Sequence, residues 1–183
     1  KIELMRLEKV GPVAGKHLKD KAVKALLWSL AGILVYVGIR FRHFNFAAAG
    51  VLAIFHDVLV ACGVMALSGR QMDLLTVTAL LTIAGYSIND TIVIYDRVRE
   101  NAHLYRNKSL YQLINLSVNQ TLGRTLLTSG VTLLTVLSIF LFGGEVLGNF
   151  AFTLIVGFIS GVYSTIYIAS PLVLAWSGAA KKK

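Results

Sequence analysis

Nine acidic residues are all the chain carries against eighteen Lys and Arg, with two prolines and a single cysteine in 183 residues. One cysteine, Cys62, has no partner for an intrachain disulfide or a CxxC metal site, and it reads most simply as a small packing residue. The four histidines (His17, His43, His56, His103) fall into no HExxH or paired spacing, so no metal-ligating motif is present in the sequence. No Gly-rich phosphate loop and no GxSxG elbow occurs. Energy for any work done would therefore not come from a nucleotide bound by the chain itself, and no cofactor is expected.

Long apolar runs are what the chain has in abundance. Hydrophobic residues make up 56%, charged ones only 15%, and the mean hydropathy of +0.70 lies outside the range of an ordinary soluble domain. Five runs, about 22–39, 44–67, 74–95, 122–142 and 150–176, each approach or exceed the roughly 17–25 residues of a spanning helix. Runs of this length without period-2 alternation exclude a barrel and leave an all-α polytopic membrane protein.

The net charge of +9 could suggest nucleic acid, but its placement argues against it. Outside the first 24 residues, Arg40, Arg42, Arg97, Arg99, Arg106, Lys108, Arg124 and Lys181 to Lys183 fall on one side of the spans, and only Arg70 on the other. The positive-inside rule then makes the loops after the first and third spans, and the basic tail 178–183, cytoplasmic. They also make anionic lipid a natural partner. By parity residues 1–20 lie outside, although the stretch up to Lys24 carries seven basic residues. Long translocated domains escape the rule, so this stretch reads as the end of an extracytoplasmic α+β domain. "IELMRLEKV" has strand-like alternation and "VGPVAG" breaks the chain before the first span. Either an upstream span with an extracytoplasmic domain or a cleaved signal peptide would account for a start without Met.

Within the apolar runs the polar residues recur at helical spacing. In the fourth span Arg124, Thr128, Thr132, Thr135 and Ser138 share one face; in the third Thr78, Thr82, Tyr86 and Asn89 do so, with Asp90 at the edge. The fifth offers Thr153, Gly157, Ser160, Ser164 and Tyr167. Hydroxyls and a GxxxG (Gly157 to Gly161) are accounted for by close helix packing. Charges are not so easily explained. An ionised Asp deep in a span costs on the order of 2.5–3.5 kcal/mol on insertion scales, so such residues face the bundle interior or a water-filled path. Asp90 and Arg124 fall at similar depth and could meet, either as a permanent pair locking two helices or as a switch coupling proton passage to helix movement. Asp57, on a face with Ala53 and Ala61, is a second candidate for the proton path or else a buried structural acid; His56 points about 100° away. Between the third and fourth spans, a capping box at Ser109 and Gln112 opens an amphipathic helix expected over about 109–120, lying along the cytoplasmic membrane surface.

The order of "LEKVGPVAG", "FHDV", "LLTIAGYSINDTIVIYDRVREN", "INLSVNQTLGRTLLTS" and "FGGEVLGNFAFTLIVGFISGVYSTIYIASPL" resembles the SecD/SecF family of the resistance–nodulation–division superfamily over nearly the whole chain. "GYSINDT" followed by "NQTLGRT" is similar to its SecF rather than its SecD branch. The resemblance implies five of six spans of one membrane half, following the tail of the large domain. It further implies a bacterial inner-membrane subunit that, with SecD, uses the proton-motive force to help draw preproteins through SecYEG, with YidC and YajC as further partners. Asp90 matches the family's intramembrane proton-path acid and Arg124 its partner. Two other readings stand beside this one: a non-transporting helical scaffold, and a small-molecule proton antiporter of the same superfamily.

Overall fold

The structure is a computed structural model that describes residues 12–41 and 43–177. The strand expected in residues 2–10 and the basic tail 178–183 lie outside the described residues. The described residues form α1 (Pro12–Phe41), α2 (Phe44–Leu67), α3 (Leu74–Leu104), α4 (Leu110–Phe142) and α5 (Gly144–Ser164), followed by a π-helical turn (Thr165–Ala169) and α6 (Ser170–Trp176). Five segments are long and apolar enough to cross a membrane: Asp20–Phe41, α2, α3, α4, and α5 through α6 as one unit. The chain is thus a multi-pass membrane protein, all-α among its described residues.

α5 is the centre of the bundle, packing on α2, α3 and α4, while α1 lies at the periphery against α2 and α3. Its central place follows from its small residues. Gly157 and Gly161 both face α3: a Cβ at Gly157 would collide with the buried Ile83 side chain, and one at Gly161 would sit 3.4 Å from Ser87. The GxxxG therefore sets a close approach of two backbones, the use such spacing has where lipid removes the hydrophobic drive for association. The turn from α4 to α5 is equally tight. Gly144 takes φ 71°, open to glycine without steric cost, and a side chain at Gly143 would strike the Ile139 carbonyl.

Two elements depart from expectation. The helix foreseen over about 109–120 starts where the capping box placed it, with Ser109 Oγ accepting from Gln112 N (3.3 Å) and Gln112 Oε1 from Ser109 N (3.1 Å). It then runs without interruption into the fourth span as one helix of 33 residues, instead of turning along the membrane surface. At 1.5 Å per residue α4 is about 50 Å long and α3 about 46 Å, so each outruns a hydrocarbon core of about 30 Å. Their overhanging ends are bolted together. Buried Asn101 donates to Ser117 Oγ (2.8 Å) and Gln120 Oε1 (2.9 Å), and Arg97 Nε donates to the same Gln120 oxygen (2.7 Å). These bonds convert the loop region into a helical hairpin closed by the turn at Tyr105–Ser109.

The other departure is the π-helical turn in the fifth span, read from the sequence as unbroken. Pro171 follows two residues after its end. Proline has no N–H to give the previous turn and its ring crowds the carbonyl four residues back, so the helix widens, and Ser170 Oγ donates to the Thr165 carbonyl (3.0 Å).

Candidate functional site: two intramembrane carboxylates

Asp57 and Asp90 are both buried, at 0% and 6% exposure, but in opposite kinds of surroundings. Asp57 lies in the middle of α2, where Ala53 and Ala61 on the same face are fully buried and let α5 come close. Three serine hydroxyls converge on it: Ser87 of α3 donates to Oδ2 (2.6 Å), Ser164 of α5 to Oδ2 (2.7 Å) and Ser160 of α5 to Oδ1 (2.7 Å). His56 adds its Nδ1 at 3.1 Å from Oδ1, although its ring stands half-exposed beside Tyr163. Three helices thus share one carboxylate, and both oxygens are saturated. Next to this cage Thr91 and Thr165 join their hydroxyls (3.0 Å), tying α3 to the π-helical turn.

Asp90 is held far more loosely. Its carboxylate has one hydrogen bond among the described residues, from Ser129 Oγ of α4 at 3.2 Å. Arg124 stands exposed on α4, five residues before Ser129, and makes no ion pair with Asp90. The meeting of Asp90 and Arg124 that the sequence allows is therefore not made in this conformation. Asn89 is exposed beside Asp90, and so is Thr128 beside Arg124, with the Thr128 hydroxyl donating to the Arg124 carbonyl (2.9 Å). One turn deeper, Tyr86 OH donates to Thr132 Oγ1 (3.0 Å), which closes the α3–α4 groove below the carboxylate. Thr132 also turns its own proton back to the Thr128 carbonyl (2.9 Å).

The three hydrophilic stripes read from the sequence thus have different fates. That of α5 turns inward, with Thr153, Ser160 and Ser164 buried and only Tyr167 exposed. Those of α3 and α4 turn largely outward: Thr78, Thr82, Asn89, Arg124, Thr128, Thr135 and Ser138 are exposed and the hydroxyls of α4 satisfy themselves on their own helix. The hydroxyls α4 does bury are Ser117, Thr121, Thr125 and Ser129, spaced by four and turned about 60° from the outer stripe. Sequence reasoning passed over Ser87, Ser129 and Thr165. The i, i+4 series Thr121, Thr125, Ser129 was the signal available, but periodicity gives no preference between two neighbouring stripes.

At the opposite end, Arg70 donates to Asn149 Oδ1 (3.0 Å) and lies over Phe152, 4.5 Å from the ring centroid. No group of three or more His, Cys, Asp or Glu side chains that could hold a metal occurs among the described residues.

The match to known families is decisive: the model for the protein export membrane protein SecD/SecF C-terminal region covers residues 1–179. The chain belongs to the SecD/SecF family. Among family members, SecF of Koribacter versatilis is 49% identical over 170 residues, covering 93% of this chain and 42% of that protein. SecF of Desulfurispirillum indicum is 44% identical over 178 residues, with 96% and 56% covered. The SecDF of Thermus thermophilus, whose name joins both subunits, is 46% identical over 99% of this chain and 24% of its own length. Its crystal structure, described as that of a translocon-associated membrane protein, superposes with a TM-score of 0.86 at 47% identity over 92% of this chain and 23% of that one. The chain therefore spans about half the length, or less, of the SecD/SecF relatives it matches.

Proposed function

We propose that this chain is the membrane part of a SecF-type protein translocase subunit in which Asp90 takes up and releases the proton that drives export. The observation that carries the reading is the contrast between the two acids. A carboxylate held by three hydroxyls and an imidazole cannot change partners without breaking four contacts, whereas one holding a single long hydrogen bond can do so at small structural cost. Asp90 also lies at the rim of an exposed polar strip formed by Asn89, Arg124 and Thr128, from which a proton could be delivered. In hydrocarbon such a strip needs cover or water. A SecD subunit is the proposed cover, as the joined chain of the Thermus relative suggests. SecYEG and the translocating preprotein are the proposed wider partners. The proposed setting is the bacterial inner membrane, with the α3–α4 hairpin in the cytoplasm.

In this scheme Arg124 approaches Asp90 in one half of the cycle and withdraws in the other, the present geometry being the withdrawn form. Asp57 is assigned instead to holding α2, α3 and α5 together, so the scaffold reading fits that acid and not Asp90. Proton conduction and gradient-dependent export by the full-length subunit with SecD, reconstituted with SecYEG, test the assignment. Asp90→Asn keeps size and hydrogen bonding but cannot exchange a proton, so it should abolish gradient-dependent stimulation while the complex still assembles. Arg124→Met should fail in the same way, and the double variant no worse than either single one. Full stimulation by Asp90→Asn would leave only the scaffold role.

A further inference from the structure

At the arginine-rich end of the bundle a cavity of about 460 Å³ opens between the α1–α2 bend, the last turns of α3, the start of α4 and the end of α6. Its inner wall is aromatic: the Tyr95 ring meets Phe41 and Phe46 edge-on, with centroids 5.6 and 4.9 Å away. Its rim carries His43, Arg99 and His103 and, among the described residues, no acidic one. The two acids of this region are already engaged, Asp96 with Arg40 (2.8 Å) and Glu100 with Arg97 (2.6 Å), which leaves Arg99 exposed and without an acidic partner among the described residues. Tyr95 itself is 1% exposed, and its hydroxyl is buried with no hydrogen-bond partner. That hydroxyl is sealed behind the wall, so what the cavity offers a ligand is the aromatic faces inside and the unpaired Arg99 guanidinium at the rim.

The depth of the cavity says what kind. α3 enters the apolar zone at Leu74, and Tyr95 lies 21 residues on, or about 32 Å at 1.5 Å per residue, close to the thickness of a hydrocarbon core. Arg99 and His103 follow at one and two further turns, at the level of lipid phosphates. An aromatic wall at the edge of the core with a cationic rim above it matches a phospholipid, with acyl chain below and phosphate above, rather than a soluble anion. We propose that this cavity is a specific site for an anionic phospholipid, its phosphate held by Arg99 and His103 and its glycerol and upper acyl region by the Phe41, Phe46 and Tyr95 wall. A net negative headgroup is favoured over a zwitterionic one because the rim offers the Arg99 cation and imidazole donors and, among the described residues, no free carboxylate to a choline or ethanolamine.

The test uses the full-length subunit with its SecD partner in nanodiscs of phosphatidylcholine doped with phosphatidylglycerol, reading bound lipid by native mass spectrometry after detergent release. Phosphatidylglycerol should be retained at least about tenfold over phosphatidylcholine. The double variant Arg99→Gln, His103→Gln, at exposed positions, should erase the preference with thermal stability in pure phosphatidylcholine unchanged. Equal retention of the two lipids, or a preference untouched by the double variant, would overturn the proposal. So would displacement of the lipid by millimolar inorganic phosphate, which would mark a simple anion site. Efficient cross-linking from a cysteine at position 103 to another segment of the complex would show protein in the cavity and overturn it as well.

Discussion

Removing the carboxylate at position 57 should loosen the bundle more than any other single polar change. In Asp57→Ala three buried hydroxyls, on Ser87, Ser160 and Ser164, lose their acceptor at once. Side-chain hydrogen bonds between membrane helices average about 0.6 and reach about 1.7 kcal/mol, which brackets the loss at about 2–5 kcal/mol for three. The upper part of that range is expected, since the bonds are 2.6–2.7 Å long and run to a carboxylate. Ser164 recovers a little, because the Gly161 carbonyl already lies 3.2 Å from its Oγ. Asp57→Asn retains one acceptor oxygen and can place its NH2 toward Ser160, whose hydroxyl can turn to accept, so it should cost about 1–2 kcal/mol. Reversible unfolding of the full-length protein in mixed micelles, followed by circular dichroism, measures the series. The expected order is unmodified protein, Asp57→Asn, Asp57→Ala, and Ser87→Ala should cost much less in the Asp57→Ala background than in the unmodified one. A loss below about 0.5 kcal/mol for Asp57→Ala, or strict additivity with Ser87→Ala, would refute the clasp and return Asp57 to the proton path.

Gly157→Leu should collide with Ile83 and destabilise the protein by about 1–3 kcal/mol, with partial recovery by Ile83→Ala; equal stability of Gly157→Leu and the unmodified protein would contradict the close α3–α5 approach. Asn101→Ala removes two bonds that fasten the overhanging ends of α3 and α4, so amide hydrogen exchange should rise over residues 110–117 and stay unchanged in α5, whereas a uniform rise would point to global destabilisation instead. A cysteine placed at Asn107 should be labelled by an impermeant reagent only after the cells are opened; labelling in intact cells would invert the proposed topology.

The number of spans, their approximate limits and the helical cap at Ser109 were legible in the sequence because lipid imposes them locally: a run of apolar residues must be about as long as the bilayer is thick, and its backbone must bond to itself. The two acids stood out for the same reason, as charges where none is cheap. What each acid does was not legible. Asp57 and Asp90 have the same chemistry and comparable depth, and only the convergence of Ser87, Ser160 and Ser164 from two other helices separates a saturated carboxylate from one with a single bond. Helical periodicity places Thr121, Thr125 and Ser129 on one stripe of α4 and Arg124 and Thr128 on the next; the packing of α4 on its neighbours, where Ser129 reaches Asp90 of α3, decides which is buried. The fusion of the α4 overhang with its span likewise depends on Asn101 and Gln120 meeting across the hairpin, a contact between residues 19 positions apart. Composition and spacing act within one helix, where lipid sets the rule. The role of each polar group was decided between helices, where a hydroxyl's partner depends on how closely two backbones can pass.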